Sequence, residues 1–129
     1  MTLYTKCILA SKSRRDGIRI SVMSRHTLDD GFTPDLRITQ ESYDQWMPDL
    51  APLPQLIGAY KRGMPWEIFE ERYLAHLERR EREVRRLAFC SRILNTTLLC
   101  IEESADRCHR RLLAEACKRY VPSLKVVHR

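Results

Sequence analysis

Residues 96–128 read TTLLCIEESADRCHRRLLAEACKRYVPSLKVVH, and this stretch parses into three elements in a fixed order. Thr96–Ile101 is a continuous apolar run, the pattern of a strand covered on both faces. Ser104 is a good helix N-cap, so a helix is expected from there to about Tyr120. Its apolar stripe of Ala105, Cys108, His109, Leu112, Leu113, Ala116, Cys117 and Tyr120 keeps helical spacing throughout. Pro122 stops the helix, and Leu124–His128 reads as a closing strand. Strand, helix and strand make a βαβ unit whose crossover should be right-handed. The fold class that follows is α/β.

Working outward, residues 3–10 (LYTKCILA) are apolar and β-branched enough for a first strand. Residues 18–23 (IRISVM) alternate with the period-2 pattern of a second. Between them lies the polar turn Ser11–Gly17. Ser24–Pro34 is a long loop, of the kind that binds ligands or moves. A helical pattern is expected from Thr39 to about Trp46, until Pro48, Pro52 and Pro54 interrupt it. A short helix is expected over Gln55–Lys61. From Trp66 onward, Phe69, Tyr73, Leu77, Val84, Leu87 and Ala88 mark one face of a helix of about 25 residues, bent or broken in its middle. Its centre offers the opposite-charge pairs Glu78/Arg82, Arg79/Glu83 and Glu81/Arg85, each worth a few tenths of a kcal/mol. The expected architecture is one small domain over residues 1–129: a mostly parallel sheet of about four strands flanked by helices, with the βαβ unit at its C-terminal end.

Composition narrows the class. A chain of 129 residues that is 43% hydrophobic can bury roughly two-thirds of its unfolded surface, which excludes a disordered tail. No apolar run is long enough to span a bilayer, and no membrane partner is expected. The net charge is +6, with the positive excess in residues 1–26 and 107–129, an acidic stretch at 27–59 and balance at 60–106. Five cysteines, an odd count with no CxxC pair, do not form a secreted disulfide framework. The opening MTLYTKCILASKSRR places its charges after its apolar patch, the reverse of a secretory signal. A cytoplasmic protein with reduced thiols is expected.

In an open α/β sheet, ligands collect beyond the carboxyl ends of the strands. Two segments occupy such places: Cys100–Arg111 and Ser24–Thr27. If the second and third strands (18–23 and 96–101) are parallel neighbours, both segments line one crevice. Cys108 would then stand in the first turns of a helix beside His109, where cations and the helix N-terminus lower a thiol pKa. The same residue lies on the apolar stripe, where cysteine is commonly a small core residue. Metal is not expected. Cys108 and His109 would project about 100° apart on a helix, and Cys100…Cys108 matches no zinc spacing. Arg25 can clamp an anion and His26 can carry a proton. Arg107, Arg111, Lys118 and Arg119 give the last helix a basic face able to hold a phosphate backbone, although it lacks aromatic interleaving.

At these same residues the chain resembles a known family. TLLCIEESADRCHRRLLAEAC (97–117) is similar to the signature of the domain-of-unknown-function 488 family, with its strand, Cys-x-Glu turn and Cys-His-Arg helix start. ISVMSRHTLDDGFTPD (20–35), YDQWMPDLAPLPQLIGAYKRG (43–63) and WEIFEERYLAHL (66–77) resemble that family's N3 subclade. Carried over, the signature falls on Arg25, His26, Thr27, Asp30 and Gly31, then on Cys100, Glu102, Cys108, His109 and Arg110. The resemblance implies a small cytosolic α/β domain and supplies no activity. Ser104-Ala105 departs from it, standing where Asp-Pro is frequent.

The expected function is a crevice for a small phosphorylated or nucleotide-like ligand, which the chain either binds or modifies. Arg25 and Arg110 would neutralise the anion, with Thr27, Cys100 and Glu102 also at the ligand. His26, His109 and Cys108 would carry any chemistry, with no cofactor. The alternative is a nucleic-acid-binding or adaptor module using Arg107, Arg111, Lys118 and Arg119. A third reading is thiol redox chemistry at Cys108.

Overall fold

In the computed structural model, which describes residues 1–129, five strands pair in parallel in the order β3-β2-β4-β1-β5. β1 (Thr2–Cys7), β2 (Ile18–Ser21), β4 (Thr96–Cys100) and β5 (Lys125–His128) fall where hydrophobic patterning puts them. β2 and β4 are parallel neighbours, with Ile20 beside Leu98 and Ser21 beside Leu99. β5 pairs with β1 and not with β4, so the chain crosses over β1 between the two ends of the βαβ unit.

β3 (Gln45–Trp46) is a fifth strand, and it replaces the helix expected over residues 39–46. Only one 3-10 turn forms there, Gln40–Ser42, because Thr39 and Ser42 cap each other and Tyr43 is extended. The free edge of β2 then takes the chain. The Arg19 amide donates to Asp44 Oδ2 (2.8 Å), and the Met47 amide donates to the Ser21 carbonyl (2.9 Å). Edge pairing satisfies backbone groups that a short, weakly apolar helix would leave exposed.

α1 (Pro54–Lys61) starts on proline, whose missing N–H costs nothing in a first turn. The long helix is broken: α2 (Trp66–Arg79) and α3 (Glu81–Ile93) meet at Arg80, which is non-helical at φ −111°, ψ 29°. Of the three anticipated charge pairs, Glu81–Arg85 forms (2.9 Å); it is the pair that lies within one helix. α4 (His109–Tyr120) begins five residues later than Ser104, with Cys108 as its N-cap in extended geometry. Ser104 instead accepts from the Asp106 amide in a local turn.

Parallel register assigns the two faces of the sheet. Leu3, Ile20, Val22 and Leu98 share one face and pack against Phe69, Tyr73, Val84, Leu87, Leu112, Leu113 and Cys117 from α2, α3 and α4. The other face is more polar. Asp16, in the turn before β2, is buried and accepts from Lys6 (3.1 Å), Arg19 (2.5 Å) and Arg129 (3.0 Å). Its backbone carbonyl takes the Thr97 hydroxyl at 2.6 Å.

Gly17 links that turn to β2 at φ 62°, ψ −134°, a region essentially reserved for glycine. A Cβ there would lie 1.9 Å from the Asn95 carbonyl oxygen, itself the acceptor for Ile18 N–H. Gly17→Ala should therefore lose at least about 2 kcal/mol in urea unfolding. A change below roughly 0.5 kcal/mol, the usual range for surface sites, would contradict the close approach.

Candidate functional site

A crevice of about 730 Å³ opens beyond the carboxyl ends of β2 and β4. The segment after β2 supplies Ser24, Arg25, Thr27 and Asp30; the end of β4 and the start of α4 supply Cys100, Glu102, Cys108 and His109. Both sequence motifs therefore meet in one place, because β2 and β4 are adjacent and end at the same level. The opposite wall comes from α1 and α2: Tyr60, Trp66 and Phe69, with Lys61 at the mouth. Trp66 stacks on Phe69 with centroids 5.2 Å apart and planes 21° apart.

The floor is a tight polar cluster. Cys100 Sγ and Cys108 Sγ both donate to Glu102 Oε2, at 2.8 and 3.2 Å. His109 Nε2 lies 2.7 Å from the Val22 carbonyl, which can only accept, so Nε2 carries a proton. Nδ1 then faces Cys100 Sγ at 3.7 Å. Partial burial raises the Glu102 carboxyl, but hydrogen bonds from the two thiols and the charge of His109 outweigh it and hold it below its ordinary value. Cys108 is pushed well up by the neighbouring Cys100 thiol, then by burial. Burial lowers His109, yet Cys108, Glu102 and the Val22 carbonyl together bring it above its usual value. Cys117, buried in the helical core, is pushed up to about 12 by burial.

Two residues expected at the site are placed elsewhere. His26 turns to the other face of the sheet, where its Nε2 meets Ser21 Oγ at 2.7 Å and its ring packs on Tyr43 and Trp46. Neighbours in an extended segment point opposite ways, so Arg25 and Thr27 line the crevice and the residue between them does not. Burial lowers the His26 pKa there. Arg110 is not on the rim but fully buried beneath it. Its Nη1 donates to the Glu102 carbonyl (2.6 Å) and its Nη2 to the Glu103 carbonyl (3.3 Å), tying down the loop between β4 and α4. Asp30 closes a turn by accepting from the Phe32 and Thr33 amides (both 2.9 Å), with Gly31 at φ 77° completing it.

A family model described as the active DUF488-N3 subclade matches residues 3–120. The chain belongs to the DUF488 family. No curated protein and no solved structure matches it. The signature of this DUF488 chain divides by position. Arg25, Thr27, Cys100, Glu102, Cys108 and His109 face the crevice, while Arg110 supports the loop and Asp30 and Gly31 shape the facing turn.

Cys108 precedes the helix, so the 100° projection does not apply, and Cys100, Cys108 and His109 bring ligand atoms within 4.8 Å of one another. Sequence reading missed Arg37, Lys61 and the aromatic wall. Proline and glycine punctuation located α1 and the start of α2, but nothing local says which segment they cover. Of the basic face, Arg107 lines the crevice. Arg111 pairs with Glu115 (2.9 Å), and Lys118 donates to the Leu124 carbonyl (2.6 Å). No helix is long and apolar enough to cross a membrane.

Proposed function

We propose that this DUF488 domain binds, or binds and modifies, a small phosphorylated or nucleotide-like ligand in the crevice between β2 and β4. The observation that carries the reading is the pairing of unspent cations with an aromatic wall. Arg37 and Lys61 have acidic partners, Asp35 at 2.7 Å and Asp29 at 3.7 Å. Arg25 meets only the Gly31 carbonyl (3.3 Å), and Arg107 has no acidic partner. Two unpaired guanidinium groups suit the bidentate recognition of a phosphate. Tyr60, Trp66 and Phe69 offer apolar surface to a base or similar ring. Should the ligand be transformed, Cys108, His109 and Glu102 are the groups placed to exchange protons with it.

Thermal-shift screening with nucleotides and sugar phosphates tests this. A ligand at 100 times its Kd should stabilise the wild-type protein by about 2.7 kcal/mol. Arg25→Ala should lose about half or more of that response, with affinity at least about tenfold weaker for a lost charge-assisted bond. Equal responses from both proteins would remove the site. The polynucleotide alternative keeps fewer free cations, since Arg111 and Lys118 are engaged internally. Oligonucleotide binding that falls steeply with salt and survives Arg25→Ala would favour it instead. Five free thiols accord with a reducing, cytoplasmic setting for the proposed pocket.

A further inference from the structure

We infer that the crevice floor is a metal site, in which Cys100, Cys108, His109 and Glu102 hold one zinc-class divalent cation. The proposal goes beyond ligand binding and needs no phosphorylated ligand to be true.

Two sulfurs, an imidazole nitrogen and a carboxylate oxygen suit a borderline-soft cation that favours four-coordination. With metal–sulfur distances near 2.3 Å and metal–nitrogen near 2.0 Å, the edges of such a tetrahedron are about 3.5–3.8 Å. Cys100 Sγ to His109 Nδ1 is 3.7 Å, and the three Cys and His donors all lie within 4.8 Å of one another. Glu102 Oε2 hydrogen-bonds both sulfurs at 2.8 and 3.2 Å, closer than those edges, and would draw back by a few tenths of an ångström to become the fourth ligand.

The imidazole is oriented for the task. Its Nε2–H is spent on the Val22 carbonyl, so in neutral His109 the lone pair sits on Nδ1, toward the sulfurs. A backbone carbonyl on the far nitrogen is the usual support of a ligating histidine, fixing both tautomer and ring plane.

Charge supplies an independent argument. Arg110 is fully buried and has no carboxylate partner; its contacts are two carbonyls and Cys108 Sγ at 3.5 Å. A buried cation without a counter-charge is costly. A divalent cation with two thiolates and one carboxylate carries one net negative charge, and Arg110 beside it would bring the centre to neutrality. On binding, the two S–H protons leave to solvent, and a third leaves where His109 is protonated. Glu102 exchanges its two thiol donors for the metal.

Standard zinc spacings do not describe this site, because its ligands come from a strand end, a loop and a helix N-cap. The side toward the crevice is the accessible one, since Glu102 is exposed there while Cys100, Cys108 and His109 are buried.

Titration of metal-stripped protein with cobalt(II) alone tests the inference. One equivalent should produce a thiolate-to-cobalt charge-transfer band with the intense visible bands of tetrahedral coordination, both erased by zinc. Cys90→Ser, at an exposed thiol, should leave them unchanged. Cys108→Ser should weaken affinity by more than about 100-fold, beyond the cost of losing an outer-shell contact. Should Cys108→Ser fail to fold, wild-type protein decides the question: zinc should slow alkylation of Cys100 and Cys108 but not of Cys90. Pale octahedral spectra, binding that survives Cys108→Ser, or thiols that zinc does not protect would each overturn the proposal. A failed ligand screen with the charge-transfer band intact removes the phosphate reading alone, and the converse removes the metal alone.

Discussion

Asp16→Asn is expected to cost the fold about 3–5 kcal/mol, the usual penalty for removing one partner of a buried ionic group. The carboxylate is 1% exposed and faces Lys6, Arg19 and Arg129, so the amide would leave three cations with no counter-charge. It would also weaken the turn that starts β2, because Asp16 Oδ2 accepts the Ser13 amide at 3.0 Å. Burial pushes the Asp16 carboxyl up, but the Ser13 amide and the Lys6 and Arg19 side chains outweigh it, leaving it below its ordinary 3.8. A depressed value in the folded protein means that the unfolded chain takes the proton first. The stabilisation is therefore complete above about pH 4 and disappears as pH falls through the folded value. Urea unfolding across that window should show wild type losing stability on acidification and Asp16→Asn losing less. Equal unfolding free energies at neutral pH would refute the ionic account.

Arg110→Ala should destabilise the protein by about 2–4 kcal/mol, from lost packing of a large buried side chain and two lost carbonyl contacts. The balance contains an opposing term, since a buried cation without a carboxylate is itself unfavourable. Its local effect should exceed its global one. Residues 101–108 lie between β4 and α4 without regular backbone pairing, and the guanidinium spans this loop through the Glu102 and Glu103 carbonyls. Hydrogen exchange should accelerate across the loop while β1 and β4 keep their protection. Arg110→Lys should rescue little, because one ammonium on a flexible stem cannot reproduce the planar fork. Unchanged exchange in the loop would show that Arg110 serves packing alone.

Local pattern was enough for four of the strands. Ile18–Ser21 alternates and Thr96–Cys100 is uniformly apolar, and both are strands where that predicts. It was enough for the α4 stripe too, where Leu112, Leu113, Ala116 and Cys117 are all buried. The misreadings share one physical cause: a distant partner outbid a local preference. Thr39–Trp46 yields to the free edge of β2, and Ser104 caps only a turn while Arg110 holds the following loop. The Asp16 cluster did carry a local signal, Ser13-x-x-Asp16, a capping-box spacing ahead of Gly17. Its three cations come from positions 6, 19 and 129, which no local spacing joins.

For the crevice, residue types were legible and orientation was not. Two cysteines, a histidine, a glutamate and several arginines stand in the sequence as candidates, and the parallel neighbourhood of β2 and β4 brings the two motifs together. Which side each residue faces depends on register and on what packs behind it. His26 is drawn away by Ser21, Tyr43 and Trp46, and Arg110 goes under the floor to reach two carbonyls. Tyr60, Trp66 and Phe69 complete the wall only because α1 and α2 fold over the strand ends. Amino-acid order by itself thus determined the α/β class, most of the elements and the chemical inventory, since these follow from short-range periodicity and propensity. Tertiary structure alone decided the strand order, the fate of Asp16 and Arg110, and the meeting of Cys100, Cys108 and His109. Each of those depends on burial and pairing between residues far apart in the chain.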